Sequence, residues 1–273
     1  MDAPEIKQII CIKWGTKFGP EYVNRLYGMI RRNITPPFRL FCFTEDGAGL
    51  HPDIAVRPLP VFEYKAPVTN RGQWPKSRLW GDLGDITGTV LFLDLDVVIV
   101  GNLDDFFTFG DPDDTVLATN PQSVKPFEKL GQTSVYRMRV GKLAPLQDIF
   151  RADPQAIADE YRFEQRFVTR RAPGGVRFWP RGWVVHFRSH CVPAWPLRYW
   201  QAPRIPAGAR IVIFAGSLNP PDAIAGRWSE DDRHLPLAEH LRAAFDGRRR
   251  EGLSQHLRHY LKPTDWVARL WRE

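Results

Sequence analysis

One stretch decides the fold: Val90-Leu91-Phe92-Leu93-Asp94-Leu95-Asp96-Val97-Val98-Ile99-Val100. Apart from its two aspartates it is an apolar, β-branched run, which predicts a strand buried on both faces of a parallel sheet. Side chains alternate along a strand, so we expect Asp94 and Asp96 on one side and Leu95 on the other. The alternative is a strand that ends at Leu93 and leaves both acids in a solvated turn.

Two carboxylates in a buried strand predict a bound cation. Burying one ionised carboxylate costs on the order of several kcal/mol, and neighbouring carboxylates also repel each other. Mg²⁺ and Mn²⁺ relieve both costs because they prefer hard oxygen ligands, and Mg²⁺ typically combines one or two carboxylates with substrate phosphates. We therefore expect Asp94 and Asp96 to bind Mn²⁺ or Mg²⁺.

The composition is typical of a globular protein. With 273 residues and 43% hydrophobic content, the chain is long enough for a large core in one or two domains. No apolar run reaches the roughly 18 residues of a membrane-spanning helix, and the acidic start Met1 to Glu5 argues against a signal peptide. Cys11, Cys42 and Cys191 are far apart, and a buried reduced thiol is the expected state. These features predict a cytoplasmic protein.

The charge balance favours anionic ligands. The formal net charge is +7, but the excess is not gathered into a nucleic-acid-binding motif. A nucleoside diphosphate or a phospholipid surface suits this balance as well as RNA does, and we expect no nucleic acid partner. The alternative is a generally Arg-rich surface that has no specific partner.

The order of predicted elements is that of an α/β protein. The first half predicts strands over 8–12, 38–44 and 54–59, a helix over 21–33, and a short helix over 74–83 before the aspartate strand. This alternation predicts a mainly parallel sheet. The second half is less regular, with strands expected over 115–119, 134–138, 182–187 and 210–214 and helix over 143–162. Its proline- and tryptophan-rich segments are interpreted as loops, so we expect one domain over residues 1–273.

Further segments occur in order around the aspartates. They are Ile10 to Thr16, Cys42 to Asp46, Trp74-Pro75-Lys76, Leu91 to Asp96, Gly101 to Phe106, Glu164-Gln165, Trp183-Val184-Val185 with His190-Cys191, and Phe214 to Pro220. Through them, nearly the whole chain resembles GT-A fold glycosyltransferases with an Asp-x-Asp motif, and looks most like a bacterial group distantly similar to glycosyltransferase family 8. The resemblance implies a Rossmann-like nucleotide-diphospho-sugar transferase fold with a mixed, mainly parallel sheet flanked by helices.

The resemblance also implies a reaction. A sugar would pass from a nucleotide sugar, with UDP as the expected nucleotide, to a hydroxyl of a glycan, lipid or small-molecule acceptor. A divalent cation, Mn²⁺ or Mg²⁺, on Asp94 and Asp96 would bridge the donor diphosphate and neutralise the charge of the leaving group. This location agrees with the residues, because open α/β sheets bind ligands beyond the carboxyl ends of their strands.

The resemblance assigns roles to individual residues. The nucleotide-sugar site would comprise Lys13, Trp14, Gly15 and Thr16 around the nucleoside, Lys76 on the phosphates, and Asp94, Leu95, Asp96 and Gln132. Glu164 and Gln165 stand where the family's acidic-Gln pair flanks the reacting sugar, as a base in an inverting enzyme or as stabilising polar groups in a retaining one. The alternatives are ordinary packing for Trp14, a solvated Lys76, and an exposed charged helix face for Glu164 and Gln165.

Two positions depart from the family pattern. Ala215 stands at the place matched to a metal-binding histidine, which leaves the two aspartates, waters and the diphosphate as weaker ligands. Gln132 replaces an asparagine, and its extra methylene would move the amide by about an ångström or more, which matters at a reacting centre. Both changes are compatible with a non-catalytic GT-A protein that binds nucleotide or glycan as a partner or scaffold. A nucleotidyltransferase is a weaker alternative, because Lys13 to Pro20 does not match its Gly-rich basic loop.

Two further features leave alternatives open. His186, His190 and Cys191 would suit zinc on a helix, but a strand is predicted here, so backbone-bonded histidines are favoured; His186 is also the candidate to replace the missing metal ligand. Residues 236–273 form a basic, aromatic, helical segment with Arg248-Arg249-Arg250 and a stripe of Trp266, Val267, Leu270 and Trp271. We expect the stripe to pack on the domain. The alternative is peripheral contact with the inner face of a membrane.

Overall fold

The computed structural model describes residues 6–70, 74–121, 128–245 and 251–273. The chain divides into two compact units: an N-terminal unit of Met1–Leu95 and Asn102–Arg181, and a C-terminal unit of Asp96–Gly101 and Gly182–Glu273. The boundary between the units therefore falls between Leu95 and Asp96, inside the Asp-x-Asp motif. A single GT-A domain over residues 1–273 stays a prediction.

The described strands and helices follow in chain order. The strands are β1 (Lys7–Lys13), β2 (Phe38–Thr44), β3 (Ala55–Arg57), β4 (Thr89–Leu93), β5 (Val97–Ile99), β6 (Val116–Thr119), β7 (Gly131–Arg139), β8 (Arg177–Phe178), β9 (Val184–His186) and β10 (Ile211–Ile213). The α-helices are α1 (Pro20–Asn33), α2 (Asp105–Thr108), α3 (Ala144–Ala152), α4 (Pro154–Tyr161), α5 (Glu164–Arg171), α6 (Pro220–Ala225), α7 (Leu237–Ala243), α8 (Leu253–Arg258) and α9 (Asp265–Leu270). A 3₁₀ helix spans Trp74–Leu79.

The N-terminal unit is built on one sheet with the strand order β3-β2-β1-β4-β7-β6-β8. Strands β1 to β4 pair in parallel, β7 runs antiparallel to β4 and β6, and β8 is parallel to β6. Ile9 to Ile12 of β1 are buried on both faces of the strand, as a central parallel strand requires. The predicted mixed, mainly parallel sheet flanked by helices is confirmed.

Helix α1 has the local signals that its sequence predicted. Pro20 occupies the first turn, where its missing N–H has no partner to lose, and Glu21 complements the positive end of the helix dipole. Val23, Leu26 and Ile30 recur at helical spacing and are buried. The amphipathic pattern therefore puts one face of α1, which connects β1 and β2, in the core.

The aspartate stretch differs from the prediction of one continuous strand. Strand β4 ends at Leu93, and the chain turns through Asp94, Leu95 and Asp96 before β5 begins. The apolar run is therefore divided between two short strands of different sheets. It is apolar throughout because both strands are buried. The expectation of one continuous strand, from which the alternation of Asp94 and Asp96 was inferred, was wrong. The solvated turn is also wrong for Asp94, whose side chain is only 18% exposed.

The C-terminal unit contains a three-stranded sheet with the order β5-β10-β9. Strand β10 is antiparallel to β5 and parallel to β9. A capping box between Asn219 and Asp222 starts α6. Trp266 and Trp271 of the aromatic stripe are buried within this unit, which agrees with the expected packing. Arg248 to Arg250 lie outside the described residues.

The histidine motif does not form a helical zinc site. His186 ends β9, whereas His190 lies in a π-helical turn at Phe187–Cys191, and the His190 ring bonds the backbone N–H of His186 at 2.9 Å. Across the described ranges, no group of three or more His, Cys, Asp or Glu side chains is arranged for a metal. All three cysteines are buried and unbridged, as expected. Within the same ranges no helix is both long and apolar enough to cross a bilayer.

Acid should destabilise the C-terminal unit through His240. This α7 residue is 6% exposed and stacks on His256 of α8, with 4.3 Å between ring centroids. Burial and the neighbouring His256 lower the pKa of His240 to about 4. Because the folded pKa lies below the unfolded value, this stability is complete above about pH 6.5 and is lost as the pH falls towards 4.

We expect the free energy of unfolding to fall by on the order of 2 kcal/mol across that window. Urea unfolding of the full chain at both ends of the window, followed by tryptophan fluorescence, measures the change. His240→Phe should keep the ring packing and reduce the pH dependence. Equal pH dependence in the variant and the wild type would contradict this assignment.

Candidate functional site

Several strand ends meet at one edge of the N-terminal sheet. Strands β1 and β4 are parallel neighbours, so Lys13 at the end of β1 and Asp94 after β4 lie at the same edge. Because β7 is antiparallel to β4, it begins at this edge, and the Asp94 N–H donates to the Ser134 carbonyl at 2.9 Å. The topology therefore gathers predicted site residues from distant parts of the sequence.

A buried ion pair lies at the centre of this edge. Lys76 Nζ donates to Asp94 Oδ2 at 2.7 Å and to the Thr133 carbonyl at 3.3 Å. The Lys76 side chain is only 4% exposed, so the alternative of a solvated lysine is wrong. Trp74 fixes the 3₁₀ helix that carries Lys76, since its buried ring stacks on Phe150 with 4.5 Å between centroids. In this structure Lys76 compensates the charge of Asp94.

Glu164 extends the buried polar group. It is the first residue of α5, is 3% exposed, and accepts a short hydrogen bond from Thr133 Oγ1. Burial raises the pKa of Glu164, while the nearby Lys76 and the bond from Thr133 act in the opposite direction. An exposed helix face was therefore the wrong alternative for Glu164. The next residue, Gln165, is half-buried.

The structure adds two residues that the sequence did not nominate. Thr133 links Lys76 to Glu164, and Tyr136 stacks on Phe92 with 4.8 Å between ring centroids. Burial raises the pKa of Tyr136, and so do Glu164 and Asp94. Gln132 is buried at the same end of β7. The sequence signal that could have identified Thr133 was the polar run of residues 132–134 at the start of a buried strand.

The loop after β1 is tied to the loop after β2. Lys13 is buried, and its Nζ donates to the Asp46 carbonyl at 3.3 Å. Gly15 has a φ of +60°, which favours glycine, and its N–H donates to Glu45 Oε2 at 3.2 Å. Trp14 is half-buried against the core, and Thr16 is exposed. These contacts hold the segment that was predicted to line a nucleoside pocket.

The donor set suits a hard cation. Asp94 belongs to the buried polar group of the N-terminal unit, and the next residue, Leu95, is buried. Asp96 is the first residue of the C-terminal unit and is half-buried, and Ala215 belongs to that unit as well. Carboxylate oxygens are the ligands that Mg²⁺ and Mn²⁺ prefer, and two of them leave room for phosphate oxygens. Each aspartate therefore carries the ligand chemistry that such an ion prefers, and the two belong to different compact units.

No protein-family model and no curated protein matches the sequence. Solved structures match by fold. Galactosyltransferase LgtC in complex with donor and acceptor sugar analogues gives a TM-score of 0.53 at 13% identity, covering 96% of this chain and 100% of that one. An active-site mutant of LgtC gives 0.52 at 12% identity over 96% and 100%, and the bifunctional glycosyltransferase WbbM gives 0.51 at 12% over 79% and 46%. The chain therefore has the GT-A fold, and its predicted likeness to family 8 is confirmed at the level of fold.

Removing Lys76 should strongly destabilise the N-terminal unit. Lys76→Met leaves Asp94 and Glu164 without their buried cation, and breaking such a pair costs about 3–5 kcal/mol. Adding Asp94→Asn should restore part of this loss, so that the two effects are not additive. Chemical denaturation of the single and double variants measures the coupling. Lys65→Met, which changes an exposed lysine of the same unit, is the control and should have little effect; additive losses at Lys76 and Asp94 would contradict the ion pair's role.

Proposed function

We propose that this chain is a glycosyltransferase that moves a sugar from a nucleotide sugar, with UDP as the nucleotide, to an acceptor hydroxyl. One observation carries the proposal: Asp94, Lys76, Thr133 and Glu164 form a buried polar chain at the carboxyl edge of a GT-A sheet. Buried charges of this kind are costly to maintain for stability alone, and they are common where a protein performs chemistry. The solved structures with this fold described above are glycosyltransferases.

Donor binding is assigned to the strand ends. Lys13, Trp14, Gly15 and Thr16 line the nucleoside pocket, where the positive φ of Gly15 permits a close backbone approach. Asp94 and Asp96 would hold a divalent cation, Mn²⁺ or Mg²⁺, which would supply positive charge to the diphosphate leaving group. Lys76 forms an ion pair with Asp94. Its fixed positive charge attracts the phosphates of the donor.

We assign different roles to Glu164 and Gln165, the two residues of the acidic-Gln pair. Glu164 is buried and bonded to Thr133, so it positions the start of β7 and thereby Gln132. Gln165 is the less buried member, and we assign it the contact with the reacting sugar. An amide can stabilise an electron-poor anomeric carbon but is a poor base, so this assignment favours a retaining reaction. The acceptor is a glycan, a lipid or a small molecule.

A non-catalytic GT-A protein is the rival proposal. Its support is that Lys76 already compensates Asp94, so a nucleotide can be bound with less need for a metal. Gln132 and Ala215, where the resemblance places other residues, point in the same direction. Such a protein would bind nucleotide or glycan as a partner or scaffold. Turnover separates the two proposals, because both include nucleotide binding.

Metal should strengthen nucleotide binding. We expect Mn²⁺ to tighten UDP binding to the wild type by at least about tenfold, which corresponds to about 1.4 kcal/mol. Asp96→Asn should remove this gain because it removes one of two carboxylate ligands. Calorimetric titration with and without Mn²⁺ provides the measurement, and Asp265→Asn, an exposed aspartate of the same unit, is the matched control. Equal, metal-independent binding in all three proteins would exclude the proposed metal site.

Turnover should depend on Gln165. We expect a panel of UDP-sugars to show hydrolysis or transfer with the wild type, and Gln165→Ala to lower kcat by about 10²-fold. The Kd for UDP should stay nearly constant, since the side chain is assigned to the sugar and not to the nucleotide. Clear UDP binding without turnover of any nucleotide sugar would favour the non-catalytic rival.

A further inference from the structure

A large cavity lies within the C-terminal unit. It is open to solvent on one side and has a volume of about 870 Å³, in the range of small-molecule sites. Helices α7 and α8, the segment from Gly226 to Leu235, and Arg188 with Ser217 form its walls. None of these residues was nominated from the sequence, and the proposed donor chemistry does not use them.

The walls of the cavity contain both hydrogen-bond donors and acceptors. Arg188 and Arg233 contribute donors, whereas Asp231 and Glu239 contribute carboxylate oxygens. Since both signs of charge are present, the lining has no strong preference for an anion or a cation. A strictly apolar ligand would leave these groups desolvated without partners, which is unfavourable.

One wall is a rigid aromatic stack. The Trp228 and His259 rings lie parallel, with 4.5 Å between centroids. The guanidinium groups of Arg188 and Arg198 lie over the Trp228 ring at 5.2 and 5.6 Å from its centroid. Arg198 is itself held by the carbonyls of Pro193 and Arg258. These contacts pack the Trp228 ring against His259, Arg188 and Arg198.

Two buried polar atoms point to a ligand. His240 lines the cavity and is 6% exposed, yet its Nε2 has no hydrogen-bond partner among the described residues. The same holds for Nε of Arg188, whose Nη2 donates to Ser217 Oγ at 3.0 Å. Buried polar groups are nearly always bonded. Each of these two atoms therefore offers a hydrogen bond to a ligand in the cavity.

We propose that this cavity binds a neutral saccharide larger than one hexose. Each sugar hydroxyl both donates and accepts a hydrogen bond, which suits a lining that contains guanidinium, imidazole and carboxylate groups. Because the lining carries both signs of charge, a phosphate, a sulfate or an acidic sugar gains no net advantage over a neutral sugar. The volume admits at least a disaccharide. Binding requires neither a nucleotide nor turnover, so the proposal stands or falls independently of the proposed reaction.

The test is saturation-transfer NMR on the full chain without nucleotide or metal. The probes are lactose, maltose, cellobiose and diacetylchitobiose, and inorganic phosphate is titrated separately. We expect saturation transfer to at least one disaccharide. Its Kd should rise by about tenfold or more in Arg233→Gln and in His240→Phe, because each loses one lining hydrogen bond.

The matched control is Arg242→Gln, which removes an exposed arginine of α7 that does not line the cavity. It should bind the disaccharide like the wild type. Thermal melting establishes whether each variant is folded. Because Arg233 is exposed, Arg233→Gln should fold and allows the test even if His240→Phe does not fold. The absence of transfer to every disaccharide, an equal loss in Arg242→Gln, or tighter binding of inorganic phosphate than of any sugar would each overturn the proposal.

Discussion

The ion pair between Lys76 and Asp94 holds four elements of the N-terminal unit together. Lys76 comes from the 3₁₀ helix, Asp94 follows β4, and the same ammonium group bonds the Thr133 carbonyl of β7. Thr133 then reaches Glu164 at the start of α5. Because all of these groups are largely buried, the loss of any one leaves another charge or donor unpaired, at a cost well above that of a surface pair.

The parts of the fold that depend on local sequence could be predicted. Strand β2 has the predicted bounds, and α1 begins one residue earlier than predicted, because apolar periodicity and prolines mark them directly. The end of β4 could not be predicted in this way. The apolar run continues through Asp94 and Asp96, and only the tertiary structure shows that its two halves enter different sheets. A hydrophobic run reports burial, but it does not report which sheet a strand joins.

The candidate site was predicted as a set of residues but not as a set of contacts. Lys76, Asp94, Gln132 and Glu164 were nominated, and the structure buries all or most of each side chain at one edge. Their partners are distant in sequence: Lys76 meets Thr133, and Thr133 meets Glu164. No local pattern encodes such pairs, so Thr133 and Tyr136 were missed. Burial then decided between alternatives that the sequence had left open for Lys76 and Glu164.

The charges at this edge also explain why a metal and a nucleotide belong together in the proposed reaction. When Asp94 and Glu164 are both ionised, they and Lys76 together carry one net negative charge. Burial raises the pKa of Glu164. A diphosphate alone would add negative charge to a group that is already short of cations. In the proposed reaction, Asp94 and Asp96 would hold a divalent ion that supplies the missing positive charge to the diphosphate. In the proposed reaction, the affinity of this edge for a nucleotide would therefore be an electrostatic property of Lys76, Asp94 and Glu164 acting as a group.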